Sequence, residues 1–279
     1  MRKMIYVLLI VVLTIGLFIL TGCTNKSKLD NLPAKKANAT SSEKTKTNTT
    51  NTNTTNTAKK ETTKKNVVNA EYDYLAAAEK QMALPEKGEQ VAIMHIKDYG
   101  DVSIRLFPNV APKAVENFVK HSQDGYYNGV TFHRVIEEFM IQGGDPQGNG
   151  RGGESIWGKD FEEEIDDSIK PYRGSLCMAS RGSKNSPSLG SQFYIVQANY
   201  HESIVERLQN AGASESMIKA YEKYGGDLFN LFFYDYYTVF GQVYDGMDVV
   251  DKIAKVETDE NDKPTKDVVI ESIEITEYK

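Results

Sequence analysis

The stretch Phe132-His133-Arg134-Val135-Ile136-Glu137-Glu138-Phe139-Met140-Ile141-Gln142-Gly143-Gly144-Asp145 contains two short apolar runs, one with an arginine and one with a glutamine. Two-residue alternation predicts that Arg134 shares a strand face with Val130, Phe132 and Ile136. A guanidinium among apolar neighbours is costly unless it has a partner or a task. The glycine pair ends the second strand and lets the backbone approach another group closely. These features predict a shallow pocket that binds a peptide carbonyl and an apolar ring.

Further motifs follow in the chain: Gly190-Ser191-Gln192-Phe193-Tyr194-Ile195, Val239-Phe240-Gly241-Gln242-Val243 and Gly246-Met247. Together with the first stretch, they resemble the signature of the cyclophilin peptidyl-prolyl isomerases. The resemblance runs from about Gln90 to the C-terminus, in order and at nearly the expected spacing. It implies an isomerase that acts on proline-containing polypeptides and needs no cofactor.

The resemblance also implies roles for single residues. Arg134, Phe139 and Gln142 would be catalytic, with Arg134 donating a hydrogen bond to the prolyl nitrogen. Ser180 would act through its backbone. The family's usual tryptophan and histidine are replaced, by position, by Phe232 and Tyr237. The implied substrate-binding residues are Met140, Gly150, Ala179, Ser180, Arg181, Gln192, Tyr194, Phe232, Phe233 and Tyr237.

The alternation of apolar residues predicts eight strands, beginning with a hairpin over residues 90–107. Helical spacing predicts two main helices, over residues 111–123 and 247–254. Eight antiparallel strands around a filled core indicate a closed barrel, of the kind that the cyclophilin resemblance implies. Residues 200–226 do not fit a compact cyclophilin, and we interpret them as a helical insertion. It is either a packing element or a lid that guides substrate.

The N-terminus has the order of a secretory signal, with Arg2 and Lys3 before an apolar run from Met4 to Leu20. The sequence Leu20-Thr21-Gly22-Cys23 resembles the bacterial lipobox. We therefore expect residues 1–22 to be a signal peptide and Cys23 to carry the lipid, palmitate included. The protein would then be anchored to the extracytoplasmic face of the cell membrane. The alternative is an uncleaved membrane anchor.

The chain changes character after the lipobox. Residues 1–66 contain 12 Lys/Arg and 3 Asp/Glu, a net charge of +9. Because the whole chain has a net charge of −6, the remaining residues have a net charge of −15. Residues 23–66 have almost no large apolar side chain, which predicts a disordered tether. Residues 67–86 suggest a short helical stalk, a helix that either docks on the domain or extends the tether, and we expect residues 87–279 to form the isomerase domain. The acidity of this domain argues against nucleic-acid binding, and we expect a monomer.

Other chemistries receive little support from the sequence. The four histidines lack metal-ligand spacing with acids or cysteines, so no metal site is predicted. Cys177 lies in an apolar run and is interpreted as a buried small side chain rather than a reactive thiol. The acidic run Glu162-Glu163-Glu164 is interpreted as a solvated face. The main alternative function is a tethered chaperone or adhesin that binds proline-containing chains with little turnover.

Overall fold

The computed structural model describes residues 72–181, 187–227 and 238–279. Within these ranges the chain is mainly β, as predicted, and none of the helices is long and apolar enough to cross a membrane. The elements, in chain order, are α1 (Tyr74–Gln81), β1 (Gln90–Ile96), β2 (Gly100–Leu106), α2 (Pro112–Gln123), β3 (Arg134–Ile136), β4 (Met140–Gly143), β5 (Ser175–Ser180), β6 (Leu189–Val196), α3 (Glu202–Asn210), α4 (Glu215–Tyr224), β7 (Val239–Asp245), α5 (Met247–Ala254) and β8 (Ile270–Glu277).

The eight strands form one antiparallel sheet in the order β3-β4-β6-β5-β7-β2-β1-β8. This order has two ends, so the sheet is curled but open, and the closed barrel that we expected is not confirmed. The reason lies just before β3, where Phe132 N–H donates to Val268 O but His133 N–H donates to Gln142 O. Because the chain changes its partner strand at this point, β3 makes no continuous ladder with β8.

The core is enclosed by the curled sheet, α2 and α5. Alternate residues of β1 and β2 point inward, as their sequence pattern predicts. In α2, Pro112 occupies the first turn, where its missing N–H needs no helical partner. The buried Phe118 ring of α2 makes edge contacts with Phe193 of β6 and Phe240 of β7, at centroid distances of 5.5 and 5.4 Å. These contacts fix α2 against the strands on which the candidate site is built.

The helices α3 and α4 fall within residues 200–226 and meet at Gly212, which has a φ of 74°. Both helices bury apolar residues in a second cluster that they share with α1. The N-terminal end of α1 is held by Ser216 of α4, whose hydroxyl donates to Tyr72 O at 3.1 Å and accepts from Tyr74 N at 3.3 Å. The side chains that these two helices bury therefore pack against α1, which favours the packing interpretation over the lid.

The last residue of α1, Gln81, is buried among strands of the main sheet. Its Nε2 lies 3.0 Å from both Ser175 Oγ and Gln242 Oε1, and its Oε1 accepts from Lys170 N at 3.1 Å. A buried amide with these partners ties α1 to β5 and β7. Of the two interpretations of this helix, the structure therefore favours docking on the domain over an extension of the tether.

We expect Gln81→Ala to lower the free energy of unfolding by about 2–3 kcal/mol, because it leaves buried polar partners unsatisfied. The measurement is urea denaturation followed by circular dichroism. Lys80→Ala is a suitable control, since the Lys80 side chain is exposed on the same turn of α1. Equal stability of the two variants would show that α1 is not held through Gln81.

Candidate active site

A row of side chains crosses the outer face of β3, β4 and β6. Arg134 lies directly opposite Gln142, and Gln142 lies directly opposite Tyr194. Residues that pair across antiparallel strands project from the same face, so these three side chains stand next to one another. An apolar cluster separate from the main core lies on this face as well; it contains Met140, Cys177, Tyr194, Val196, Ala198 and Val239, with Ile136, Phe139, Ile169 and Ala179 packed against it.

The prediction that Arg134 shares a strand face with Phe132 is wrong. Phe132 and Val135 both belong to the main core, although they are three residues apart. Regular alternation cannot place both of them inward, and β3 begins only at Arg134. The change of partner strand before β3 therefore moves Arg134 and Ile136 to the outer face. There the guanidinium is partly open to solvent, and its charge is not confined among core residues.

Two amides connect this row to the glycine-rich loop, residues 145–153. Gln142 Nε2 donates to Gln192 Oε1 at 3.0 Å, and Gln192 Nε2 donates to Gly152 O at 2.8 Å. Gln192 is buried, whereas Gln142 is half-buried. The chain of bonds fixes the orientation of the Gln142 amide and leaves its second N–H available to a carbonyl.

Arg134 has an acidic neighbour that the sequence analysis missed. Asp262 Oδ2 lies 3.5 Å from Arg134 Nε. Asp262 belongs to the loop before β8, and its carbonyl accepts a hydrogen bond from Val135 N at 2.8 Å. No motif or periodicity joins these distant positions, so only the folded chain reveals the pair.

The glycine-rich loop is organised around Asp145, which is fully buried. Its carboxylate accepts hydrogen bonds from the backbone N–H groups of Gln147, Asn149, Gly150 and Gly152. Burial by itself would raise the pKa of Asp145, but these four N–H groups outweigh burial and hold the pKa below its ordinary value. Asp145 ends the first motif, where no role was predicted for it; an aspartate before several glycines was the available signal.

Gly150 lies over the ring of His133. A Cβ atom at this position would stand 3.4 Å from His133 Cδ2 and Nε2, and the φ of +77° also favours glycine. His133 is buried, and neither ring nitrogen has a hydrogen-bond partner among the described residues. Burial lowers the pKa of His133, and the nearby Asp145 carboxylate only partly opposes this effect. The neutral ring thus supports the loop that contains Gly150.

The family model described as "Cyclophilin type peptidyl-prolyl cis-trans isomerase/CLD" matches residues 91–275. The chain belongs to this family. The cyclophilin match includes every strand from β1 to β8 except for the ends of β1 and β8, and it contains the whole Arg134–Gln142–Tyr194 row. The resemblance read from the sequence motifs is confirmed.

Related cyclophilins cover most of the same region. A curated relative from Staphylococcus saprophyticus that carries the name of a peptidyl-prolyl cis-trans isomerase is 45% identical over 191 residues, 68% of this chain and 94% of the relative. A Staphylococcus aureus relative is 44% identical over 193 residues, with 69% and 94% covered. The crystal structure of a Cryptosporidium parvum cyclophilin-type isomerase aligns with a TM-score of 0.53 at 32% identity, covering 68% of this chain and 99% of that one. A second structure of it, in the presence of the dipeptide Ala-Pro, aligns with a TM-score of 0.51, also at 32% identity, over 67% and 99% of the two chains.

Three of the predicted substrate-binding residues of the cyclophilin lie at the end of β5 and directly after it. Ala179 packs against the outer apolar cluster. The Ser180 hydroxyl is bonded within the protein, 2.7 Å from Ser188 Oγ and 3.2 Å from Glu163 Oε1. Arg181 donates to Gly153 O and pairs with Asp160. In this structure Arg181 therefore holds the end of the glycine-rich loop.

The acidic run of the cyclophilin is more than a solvated face. Glu164 accepts from the backbone N–H groups of Lys113 and Ala114 at 3.1 and 3.0 Å. These groups lie in the first turn of α2, where helix N–H groups have no helical partner and a negative charge is favourable. Glu163 bonds Ser188 and Ser180. Both glutamates thus fix local structure, which their spacing alone could not show.

Of the two cysteines, only Cys177 lies in the part of the chain that the structure describes. Burial raises the pKa of the Cys177 thiol well above its ordinary range, so the thiolate is disfavoured and the buried-side-chain interpretation holds. Phe232, Phe233 and Tyr237 lie outside the described residues, as does Cys23. Within the described ranges no group of three or more His, Cys, Asp or Glu side chains is placed to hold a metal ion.

Proposed function

We propose that the outer row of Arg134, Gln142 and Tyr194 is where this cyclophilin binds and isomerises X-Pro bonds. The single observation that carries the proposal is the arrangement of the row: a cation, a fixed amide and an aromatic ring stand side by side on three neighbouring strands of the sheet. An apolar cluster with Phe139 and Met140 adjoins them. This combination suits a proline ring together with its neighbouring carbonyl groups.

The reaction requires rotation about a bond with partial double-bond character, against a barrier of about 20 kcal/mol. No covalent bond is made, so the site needs only to bind the twisted amide better than the planar one. In the twisted state the prolyl nitrogen regains a lone pair. A hydrogen bond donated by Arg134 toward this nitrogen would stabilise the twisted state selectively.

The neighbouring residues would position the substrate. Gln142 would donate its second N–H to a backbone carbonyl next to the proline. Phe139, Met140 and Tyr194 would enclose the pyrrolidine ring, with Phe232, Phe233 and Tyr237 completing the site. That a C. parvum relative has been crystallised in the presence of Ala-Pro supports a proline-containing polypeptide as substrate. The residue roles derive from the family resemblance and from the arrangement of the row.

The test of the activity is two-dimensional exchange NMR on an X-Pro peptide with the purified full-length protein. An isomerase produces cis–trans exchange cross-peaks at a small enzyme-to-peptide ratio. Peptide line broadening without exchange cross-peaks would instead favour the alternative, a proline-peptide-binding chaperone or adhesin with little turnover. A protease-coupled assay on the same peptide gives an independent rate.

We further propose that the isomerase assists the folding of secreted or cell-surface proteins from the outer side of a bacterial membrane, as a monomer. The support is the order of the N-terminal residues: a charged and apolar signal over residues 1–22, the lipobox ending at Cys23, and a polar tether over residues 23–66. A disordered tether of this length has an r.m.s. reach of roughly 35–40 Å. The domain could then meet chains that emerge from the membrane.

For localisation, we expect Cys23→Ser to yield an unlipidated precursor that the membrane retains differently, because the thiol that takes the lipid is gone. Mass spectrometry of the purified protein and membrane fractionation measure the two effects. The second cysteine provides the control, since Cys177→Ala leaves the lipobox intact. Mature lipoprotein isolated from the Cys23→Ser strain would rule out the anchor.

A further inference from the structure

The turn formed by residues 259–263 lies beside the proposed catalytic arginine, and we propose that its Asp262 is a positioning residue for Arg134. The proposal rests on the function proposed for Arg134. It assigns to Asp262 the task of holding the guanidinium in the orientation that donates to the prolyl nitrogen. Asp262 acts through the arginine and would not touch the substrate.

The 259–263 turn is rigidly built. Asp259 Oδ1 accepts from Asn261 N at 2.8 Å and from Lys263 N at 3.0 Å. Backbone bonds from Asp259 N to Lys263 O and from Asp262 N to Asp259 O, at 2.8 and 3.1 Å, close the turn. Asp262 has a φ of 62°, a conformation that aspartate and asparagine tolerate better than most residues. The turn thus fixes the backbone position from which the Asp262 side chain extends.

The same turn is bonded to two parts of the proposed site. Asp262 O accepts from Val135 N, which is the residue after the arginine, at 2.8 Å. Lys263 Nζ donates to Gly148 O of the glycine-rich loop at 3.2 Å. The first of these bonds fixes the backbone of Asp262 beside β3, within reach of Arg134. A mobile surface acid would not be attached to the strand and to the loop at once.

The geometry of the pair leaves Arg134 free to act. Asp262 Oδ2 approaches Nε at 3.5 Å, and the two terminal nitrogens of the guanidinium have no protein partner among the described residues. A carboxylate on Nε limits the rotation of a long side chain while the terminal N–H groups remain available to substrate. Catalytic donors must stay close to their productive position, and an acid held by a rigid turn provides that restraint.

The exposure of the two side chains sets the expected effect of replacing Asp262. The side chains of Arg134 and Asp262 are 41% and 45% exposed, so solvent screens their attraction. We therefore expect Asp262→Gly to slow the exchange of saturating peptide by about two- to fivefold, with its Kd changed less than about twofold. Asp262→Asn should slow exchange to a similar extent, because it removes the charge that attracts the guanidinium although asparagine tolerates this φ.

Replacing Asp262 by glycine distinguishes a role in positioning Arg134 from a role in forming the turn only. Glycine relieves any strain at a φ of 62° and keeps the Asp262 carbonyl, so a residue needed only for the turn could be replaced without loss. Unchanged exchange in Asp262→Gly would overturn the proposal. A second readout is the NMR signal of the Arg134 Nε–H group, which should shift and broaden in Asp262→Gly. Glu260→Gln, which removes an exposed charge from the same turn, is the matched control.

A double-mutant cycle tests whether Asp262 works through the arginine. In an Arg134→Lys background, which lacks the Nε group, Asp262→Gly should cause no further slowing of exchange. Equal slowing in both backgrounds would overturn the proposal. The function proposed for Arg134 fails by a different result, namely near-full exchange in Arg134→Ala, so the two failures are distinguishable.

Discussion

Arg134→Ala is expected to slow turnover by about 10²–10³-fold and to change peptide affinity much less. The proposed hydrogen bond to the prolyl nitrogen forms mainly in the twisted state, and losing such an interaction costs about 3–4 kcal/mol in the transition state. Binding of the planar ground state depends more on the apolar cluster beside the arginine. Exchange NMR measures both quantities on one peptide, because it reports binding and isomerisation separately.

Two further variants sharpen the test of Arg134. Arg134→Lys should also be a poor catalyst, since an ammonium group cannot reproduce the planar guanidinium. Phe139→Ala should weaken binding strongly, because it removes ring contacts that are present in both the planar and the twisted state. If Arg134→Ala keeps near-full exchange at saturating enzyme, the arginine is a structural or ground-state contact and its catalytic assignment is wrong.

Asp145→Ala is expected to lower the free energy of unfolding at neutral pH by about 3–5 kcal/mol. The substitution removes a fully buried carboxylate and leaves four backbone N–H groups of the glycine-rich loop without their acceptor. Gln192 is bonded to the same loop through Gly152, so exchange activity should fall as well. Urea denaturation at pH 7 measures the stability change.

The effect of Asp145 should depend on pH in a defined direction. The pKa of Asp145 in the folded protein lies below the value of about 3.9 expected for the unfolded chain. Its contribution to stability is therefore complete above about pH 4 and is lost as the pH falls through the folded-state pKa. The difference in the free energy of unfolding between wild type and Asp145→Ala should therefore become smaller as the pH falls below about 4. The exposed Asp267 gives the control variant, Asp267→Ala, and a difference that stays constant down to pH 2 would contradict the role of the carboxylate.

Much of the fold could be read from local patterns. Apolar alternation marked β1 and β2, and the spacing in residues 247–254 gave α5 with the bounds that the structure has. These elements are predictable because strand and helix periods place every second residue, or every third and fourth, on a buried face. The irregular stretch before β3 was predicted wrongly, because a strand that changes partners does not keep one period.

The candidate site was predictable to the extent that it lies in contiguous motifs. The sequence predicted two strands in the stretch that contains Arg134 and Gln142, and the pairing of β3 with β4 places the two residues opposite each other. Tyr194 joins them through the pairing of β4 with β6, which the family resemblance implied. The roles of these residues in catalysis remain predictions.

By itself, the sequence determined the family, the mainly β architecture and the short segments that carry the proposed chemistry, because these depend on residues close together in the chain. Only the tertiary structure decided that Asp262 lies beside Arg134, that Gln81 ties α1 to the sheet and that the sheet stays open between β3 and β8. Each of these depends on contacts between residues far apart in sequence. Their side chains are common polar types with no periodic signature, so packing alone brings them together.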